Sequence, residues 1–136
     1  MLAAGGRIRF VGSKPYGELK AYARCLDVAV LPYMKREPTY SGSSTRFYEH
    51  LAACRPILAT DGFEELLHKE PLLKILRSPA EWIAALEQLR QQGYRDGLEE
   101  LRWRQSQHET WEERALLMRR EMMAAVTSPA SCLCAS

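Results

Sequence analysis

The chain has 136 residues, 46% of them hydrophobic and 26% charged, and a formal net charge of +2. That length limits it to one domain with one real core, and so small a charge gives no ground for a nucleic-acid or anionic-membrane partner. No apolar run is long enough to span a bilayer, residues 1–6 lack the apolar stretch of a signal peptide, and the cysteine usage fits a reducing, cytoplasmic setting.

In chain order, Arg7 to Val11 alternates charged and apolar residues and runs into Gly12, the pattern of a strand ending in a loop. Pro15 to Leu26 predicts a helix, with Leu19, Tyr22, Ala23 and Leu26 on one stripe and Pro15 in its first turn. Val28 to Tyr33 is short and apolar throughout, as a parallel strand covered on both faces should be. Met34 to Tyr40 is a polar connection. A helix then runs to about Cys54, followed by a strand over Ile57 to Ala59 and a turn at Asp61-Gly62. Phe63 to His68 reads as a short helix and Leu72 to Leu76 as a weak strand.

Ser78-Pro79-Ala80-Glu81 is a capping box with proline at the first helical position. The helix it opens carries Trp82, Ile83, Leu86 and Leu89 on one face and ends near Gly93. Another helix covers Leu98 to about Gln105, and Thr110-Trp111-Glu112-Glu113 is a second capping box. Behind it, Trp111, Ala115, Met118, Met122 and Ala125 recur at helical spacing, a core or docking stripe. The arginines from Arg102 to Arg120 alternate with glutamates and read as a solvated helix face. Residues 127–136 turn small and polar, the composition of a disordered tail.

Strand and helix alternate from residue 7 to residue 93, which argues an α/β fold with a parallel sheet. Ligands of such sheets bind beyond the carboxyl ends of the strands. The loops after Val11, Tyr33 and Ala59 open there, as does the stretch from Gly42 to Arg46. Gly42, Ser43, Ser44 and Thr45 are helix openers. The backbone N–H groups of a helix start, with the positive end of the dipole behind them, form a ready phosphate site. Arg46 opposes that dipole unless an anion lies beside it, and Glu49 shares its helix face. A plain helix cap and a solvated Arg46–Glu49 pair account for the same residues.

Other chemistry is not supported. Gly12 to Gly17 has the glycine spacing of a Walker loop, but Glu18 stands where lysine must follow. His50, His68 and His108 share no metal-ligand spacing, and His50 reads as a helix-surface residue. Cys25 and Cys54 read as small buried hydrophobes, and Cys132 and Cys134 make a poor zinc site without a second pair. No metal and no cofactor is expected.

Phe47-Tyr48-Glu49-His50-Leu51-Ala52-Ala53-Cys54-Arg55-Pro56-Ile57-Leu58-Ala59-Thr60 resembles the "LYEYLAAGKPVVAT" signature of group-1, family-4-like glycosyltransferases of the GT-B fold. Ile8-Arg9-Phe10-Val11-Gly12 with Pro15-Tyr16-Gly17-Glu18-Leu19 is similar to their "VxFLGxxPYEEL", and Asp27 to Tyr33 resembles their "DVALxPF". The three stretches stand in family order. The resemblance implies the C-terminal, donor-binding domain over residues 1–126, entered at about its third strand and so incomplete. Its fold would be a partial Rossmann-like parallel sheet of about four strands, flanked by helices, with a helical C-terminal tail.

The resemblance also implies an activity: retaining, metal-independent transfer of a sugar from a nucleotide diphosphate donor. By position, Glu49 would accept the ribose hydroxyls and Arg46 would be the basic residue before "LYEY". The N–H groups of Ser43, Ser44 and Thr45, next to Gly42, would face the diphosphate, and the Gly12-Ser13 loop would lie near the base. The family departs from this chain at Ser41, where many relatives have glutamate, and at Cys54, where a glycine would cap the helix. A separate first domain would hold the acceptor, so the chain alone is expected to be inactive, and an uncovered sheet edge with an apolar helix favours self-association. Two other readings stay open: a non-catalytic nucleotide- or phosphate-binding module that partners another chain, and a remnant that only folds.

Overall fold

The computed structural model describes residues 8–36 and 39–127. Among them, β1 (Ala29–Leu31), β2 (Ile57–Ala59) and β3 (Lys74–Ile75) form a parallel sheet in the order β1-β2-β3. Ala29 is in register with Ile57 and Leu58 with Lys74. The helices are α1 (Tyr16–Cys25), α2 (Thr45–Ala53), α3 (Pro79–Gln91), α4 (Glu99–His108) and α5 (Trp111–Thr127). Short 3-10 turns cover Thr39–Ser41 and Glu64–His68. No described helix is long and apolar enough to cross a membrane. The expected tail beyond Thr127, Cys132, Cys134 and Pro38 lie outside the described residues.

Strand side chains alternate between faces, so each face builds its own layer. Ala29, Leu31, Ile57, Ala59 and Ile75 pack against Phe47 and Leu51 of α2 and against Leu66. Leu58 and Leu76 point the other way, under Ala85 and Leu89 of α3, with Trp82 half-buried at the margin. α3 opens as its sequence predicts: the Ser78 hydroxyl accepts from the Glu81 N–H, and the Glu81 carboxylate from the Arg77 N–H. Its cover does not reach β1. Val30 is therefore 46% exposed, and β1 is buried on one face only, not on both as its apolar run suggested.

The strand expected over residues 7–11 is not formed. Arg7 lies outside the described residues, and Ile8 to Val11 are exposed coil, with Phe10 90% exposed. Alternation alone does not hold a strand; ladder hydrogen bonds and one buried face do, and this segment has neither. The described sheet thus has three strands where about four were expected. For the same reason α1 sits loosely. Of its expected stripe only Ala23 is buried, and Cys25, read as a buried hydrophobe, is exposed.

Arg102 overturns a further expectation. It belongs to the arginine-rich stretch read as a solvated face, yet it is 1% exposed, the largest of the fully buried side chains among the described residues. Its Nε donates to the Leu72 carbonyl at 2.7 Å, and its Nη1 to Asp96 Oδ1 at 2.8 Å. Asp96 also accepts from the Leu98 N–H at the start of α4. Arg104, two residues on, does form an exposed pair with Glu100. Burial raises the Asp96 carboxyl, but the hydrogen bonds and charge of Arg102 outweigh it and hold the pKa below its ordinary value.

At the end of α2, Cys54 adopts the left-handed conformation, φ 60°, and its N–H caps Leu51. A cap conformation that favours glycine is occupied by a residue that carries a Cβ, which costs about 1 kcal/mol. Cys54→Gly should therefore raise stability by about 0.5–1 kcal/mol in urea unfolding, with no change in fold. Asp96→Ala strands a buried guanidinium and should lower stability by about 3–5 kcal/mol, while Arg104→Ala should stay within about 0.5 kcal/mol of wild type.

Candidate functional site

Because the strands are parallel, β1, β2 and β3 all end on one edge, and α2 begins there. The edge is tightly joined. A Cβ on Gly62 would lie 2.7 Å from the carbonyl carbon and oxygen of Tyr33, so only glycine lets the loop after β2 pass the loop after β1. The Thr60 hydroxyl donates to the Tyr33 carbonyl. The rings of Tyr33 and Phe63 meet edge to face at 4.6 Å. The Tyr33 hydroxyl then accepts from Ser44 Oγ at 3.2 Å, which ties the start of α2 to the end of β1.

Ser44 is the N-cap residue and is buried. Its hydroxyl makes no cap bond of its own. The Ser44 N–H instead donates to Glu65 Oε2 at 3.3 Å, from the second 3-10 turn. Tyr48, one turn into α2, donates its hydroxyl to Glu65 Oε1. The anion beside this helix start is thus the chain's own carboxylate. Burial pushes the Glu65 carboxyl up, but the hydroxyls of Tyr48 and Ser43, the Lys69 charge and the Ser44 N–H together hold it below its ordinary range.

Tyr48 continues the network. Its hydroxyl accepts from Arg114 Nη2 at 2.8 Å, and the same nitrogen donates to Glu109 Oε2 at 2.6 Å. Lys69 Nζ donates to Glu109 Oε1 at 3.1 Å. The Arg114 guanidinium lies 5.1 Å from the Tyr48 ring centre and Lys69 Nζ 5.4 Å, both within cation–π range. Two carboxylates and two cations balance around one phenol. Burial raises the Glu109 carboxyl, yet its bonds to Arg114, Lys69 and Gln105 bring it below its ordinary value. Burial lowers Lys69, but Glu109 more than compensates and raises it. Tyr48 is raised, by burial first and by Glu65 second.

Beside this network lies a cleft of about 310 Å³, lined by Ser43, Thr45, Tyr48, Glu49, Glu109 and Arg114 together with Tyr16 and Trp111. Hydroxyl donors, two carboxylates, a cation and aromatic surfaces face one space, Glu109 being already paired with Arg114. Of the residues singled out in the sequence, Ser43, Thr45 and Glu49 are brought together here. Ser44 is buried at the helix start and does not line the cleft. Gly42 and Arg46 are exposed and do not line it, and Arg46 forms no ion pair with Glu49. Gly12 and Ser13 are exposed in the loop ahead of α1, with Gly12 at φ 71°, and are not part of the cleft.

His50, read as a surface residue, is half-buried, its Nδ1 is buried without a partner, and burial lowers its pKa. Tyr48, Glu65, Glu109 and Arg114 were not picked out from the sequence. Tyr48 stood inside the quoted signature, and the Thr110 capping box placed Arg114 in the first turns of a helix. Nothing local tied Glu65 or Glu109 to α2. Among the described residues, no group of three His, Cys, Asp or Glu side chains is placed to hold a metal ion. Protein-family models, curated proteins and solved structures give no match to this chain.

The depressed carboxyl at Glu65 makes the α2 start acid-sensitive. A carboxyl lowered on folding stabilises fully above its unfolded value, here 4.5, and loses that contribution as pH falls through its folded value. Urea unfolding from neutral to acid pH should show stability falling below 4.5. Glu65→Gln should cost stability near neutrality and flatten part of that fall, Asp96 and Glu109 keeping the rest. An unchanged pH profile in Glu65→Gln would show that the carboxylate is not held there.

Proposed function

We propose that this chain is the donor-binding domain of a GT-B-type glycosyltransferase, holding a nucleoside diphosphate sugar at the carboxyl edge of its sheet. The cleft that unites Ser43, Thr45 and Glu49 with Arg114 carries the reading. Ribose hydroxyls need a carboxylate acceptor, which Glu49 supplies. A diphosphate needs fixed N–H and O–H donors and a cation, which Ser43, Thr45 and Arg114 supply. Arg46, exposed at the first turn of α2, has a side chain long enough to reach an anion above the helix start. Fixed donors of this kind stabilise charge on a leaving diphosphate without a metal. On this reading the three strands belong to a larger Rossmann-like sheet, and the acceptor is held by another domain.

One observation favours a second reading. Glu65 already takes the Ser44 N–H, as a purely structural cap would. A phosphate at the same helix start has to sit beside that carboxylate, on the Ser43–Thr45 side.

Calorimetric titration with a panel of nucleoside diphosphates and their sugars separates the two. Binding is expected, weakened by roughly 1–3 kcal/mol in Glu49→Ala and in Arg46→Ala, and unchanged in Arg104→Ala. No turnover is expected from the chain alone, because near-attack positioning and exclusion of water require the acceptor domain to close. Absence of binding to every member of the panel leaves the cap reading.

A further inference from the structure

α5 is 17 residues long, about 25 Å, and its described side chains are all exposed. Trp111 is 83% exposed, Met118 65% and Met122 63%, so no described part of this chain covers them. These residues are not scattered. Trp111, Ala115, Met118, Met122 and Ala125 alternate spacings of four and three, the seam by which one helix packs along another.

The charges bordering that seam name the partner. One border carries Glu112 and then Arg119; the other carries Arg114 and then Glu121. In an antiparallel pair each border meets the same border of its neighbour. Layering Trp111 on Met122 and Ala115 on Met118 then sets Glu112 opposite Arg119 and Arg114 opposite Glu121. Two-fold symmetry repeats each pair, so all the flanking contacts join opposite charges. A parallel pair would instead face Arg114 with Arg119, like against like. The pattern is complementary to itself in one orientation only.

We infer that α5 pairs antiparallel with α5 of a second copy of this chain. Arg114 keeps its bond to Glu109 through Nη2 and has other N–H groups to offer across the seam. Among the described residues, Glu121 makes an exposed contact with Arg120 at 3.5 Å. Four layers make a small interface, so the dimer is weak and depends on concentration.

Sedimentation velocity of the full chain, from roughly 5 to 200 µM, tests this. The mean sedimentation coefficient should rise with concentration, and Met118→Asp should abolish the rise. Arg119→Glu puts like charges opposite each other twice and should weaken the dimer roughly tenfold. Adding Glu112→Arg to it restores both pairs and should bring the affinity back to within about threefold of wild type. All the substituted side chains are exposed, so circular dichroism should not change. A monomer at the highest concentration overturns the inference, including one whose α5 docks on a different protein. So does an Arg119→Glu defect that Glu112→Arg fails to rescue.

Discussion

One buried charge fixes the geometry that everything after α3 inherits. Arg102 has lost its water almost completely, and only the Leu72 carbonyl and the Asp96 carboxylate replace it. A guanidinium in that position is costly unless its donors are met, so α4 cannot rotate or slide without breaking them. The bond to Leu72 ties α4 to the chain entering β3. The bonds to Asp96 tie it to the turn after α3. α4 is therefore held along α2, and its last turn delivers Glu109 to Lys69 and Arg114. The cleft beside Tyr48 is a consequence of where that one arginine is pinned.

The sheet supplies the other constraint. Three short strands offer few ladder hydrogen bonds, so the core depends on side chains that clamp the strand ends. Gly62, Thr60 and Tyr33 do this at the carboxyl edge, where the loops after β1 and β2 come within van der Waals contact. Ser44 then hangs α2 from Tyr33. The cover is uneven, complete over β2 and partial over β1. That leaves Val30 exposed and the open edge of β1 unpaired among the described residues, which is the condition for adding another strand.

The start of α2 shows an electrostatic preference met from within the chain. Its N–H groups favour an anion, and Glu65 satisfies the one at Ser44 from within the chain. Tyr48 relays this contact to Arg114, so the same hydroxyl joins a structural carboxylate to a cation facing the cleft. A ligand phosphate would share this field rather than create it. Glu109 pairs with both Lys69 and Arg114 beside Tyr48, whereas Glu49 in the cleft and the exposed Arg46 outside it form no ion pair with each other.

Local patterns were enough for the helices and for the three strands of the described sheet. Ser78 and Thr110 marked their helix starts because a capping side chain acts within three residues, and Ile57 to Ala59 read as a strand because it is apolar and short. Cys54 kept the left-handed cap although glycine is absent, since the helix must stop before Pro56. The tertiary structure alone decided the rest. Ile8 to Val11 has the alternation of a strand but no partner, and pairing is a property of two segments. Arg102 and Arg104 look alike in sequence, and only the approach of Leu72 and Asp96 buries one and leaves the other in water. Glu65 and Glu109 lie 16 and 60 residues beyond Glu49, and folding joins both to one network around the Tyr48 hydroxyl, with Glu109 alone reaching the cleft. Spacing along a helix is written in the chain; contact between distant charges depends on which surfaces exclude water together, and no single segment records that.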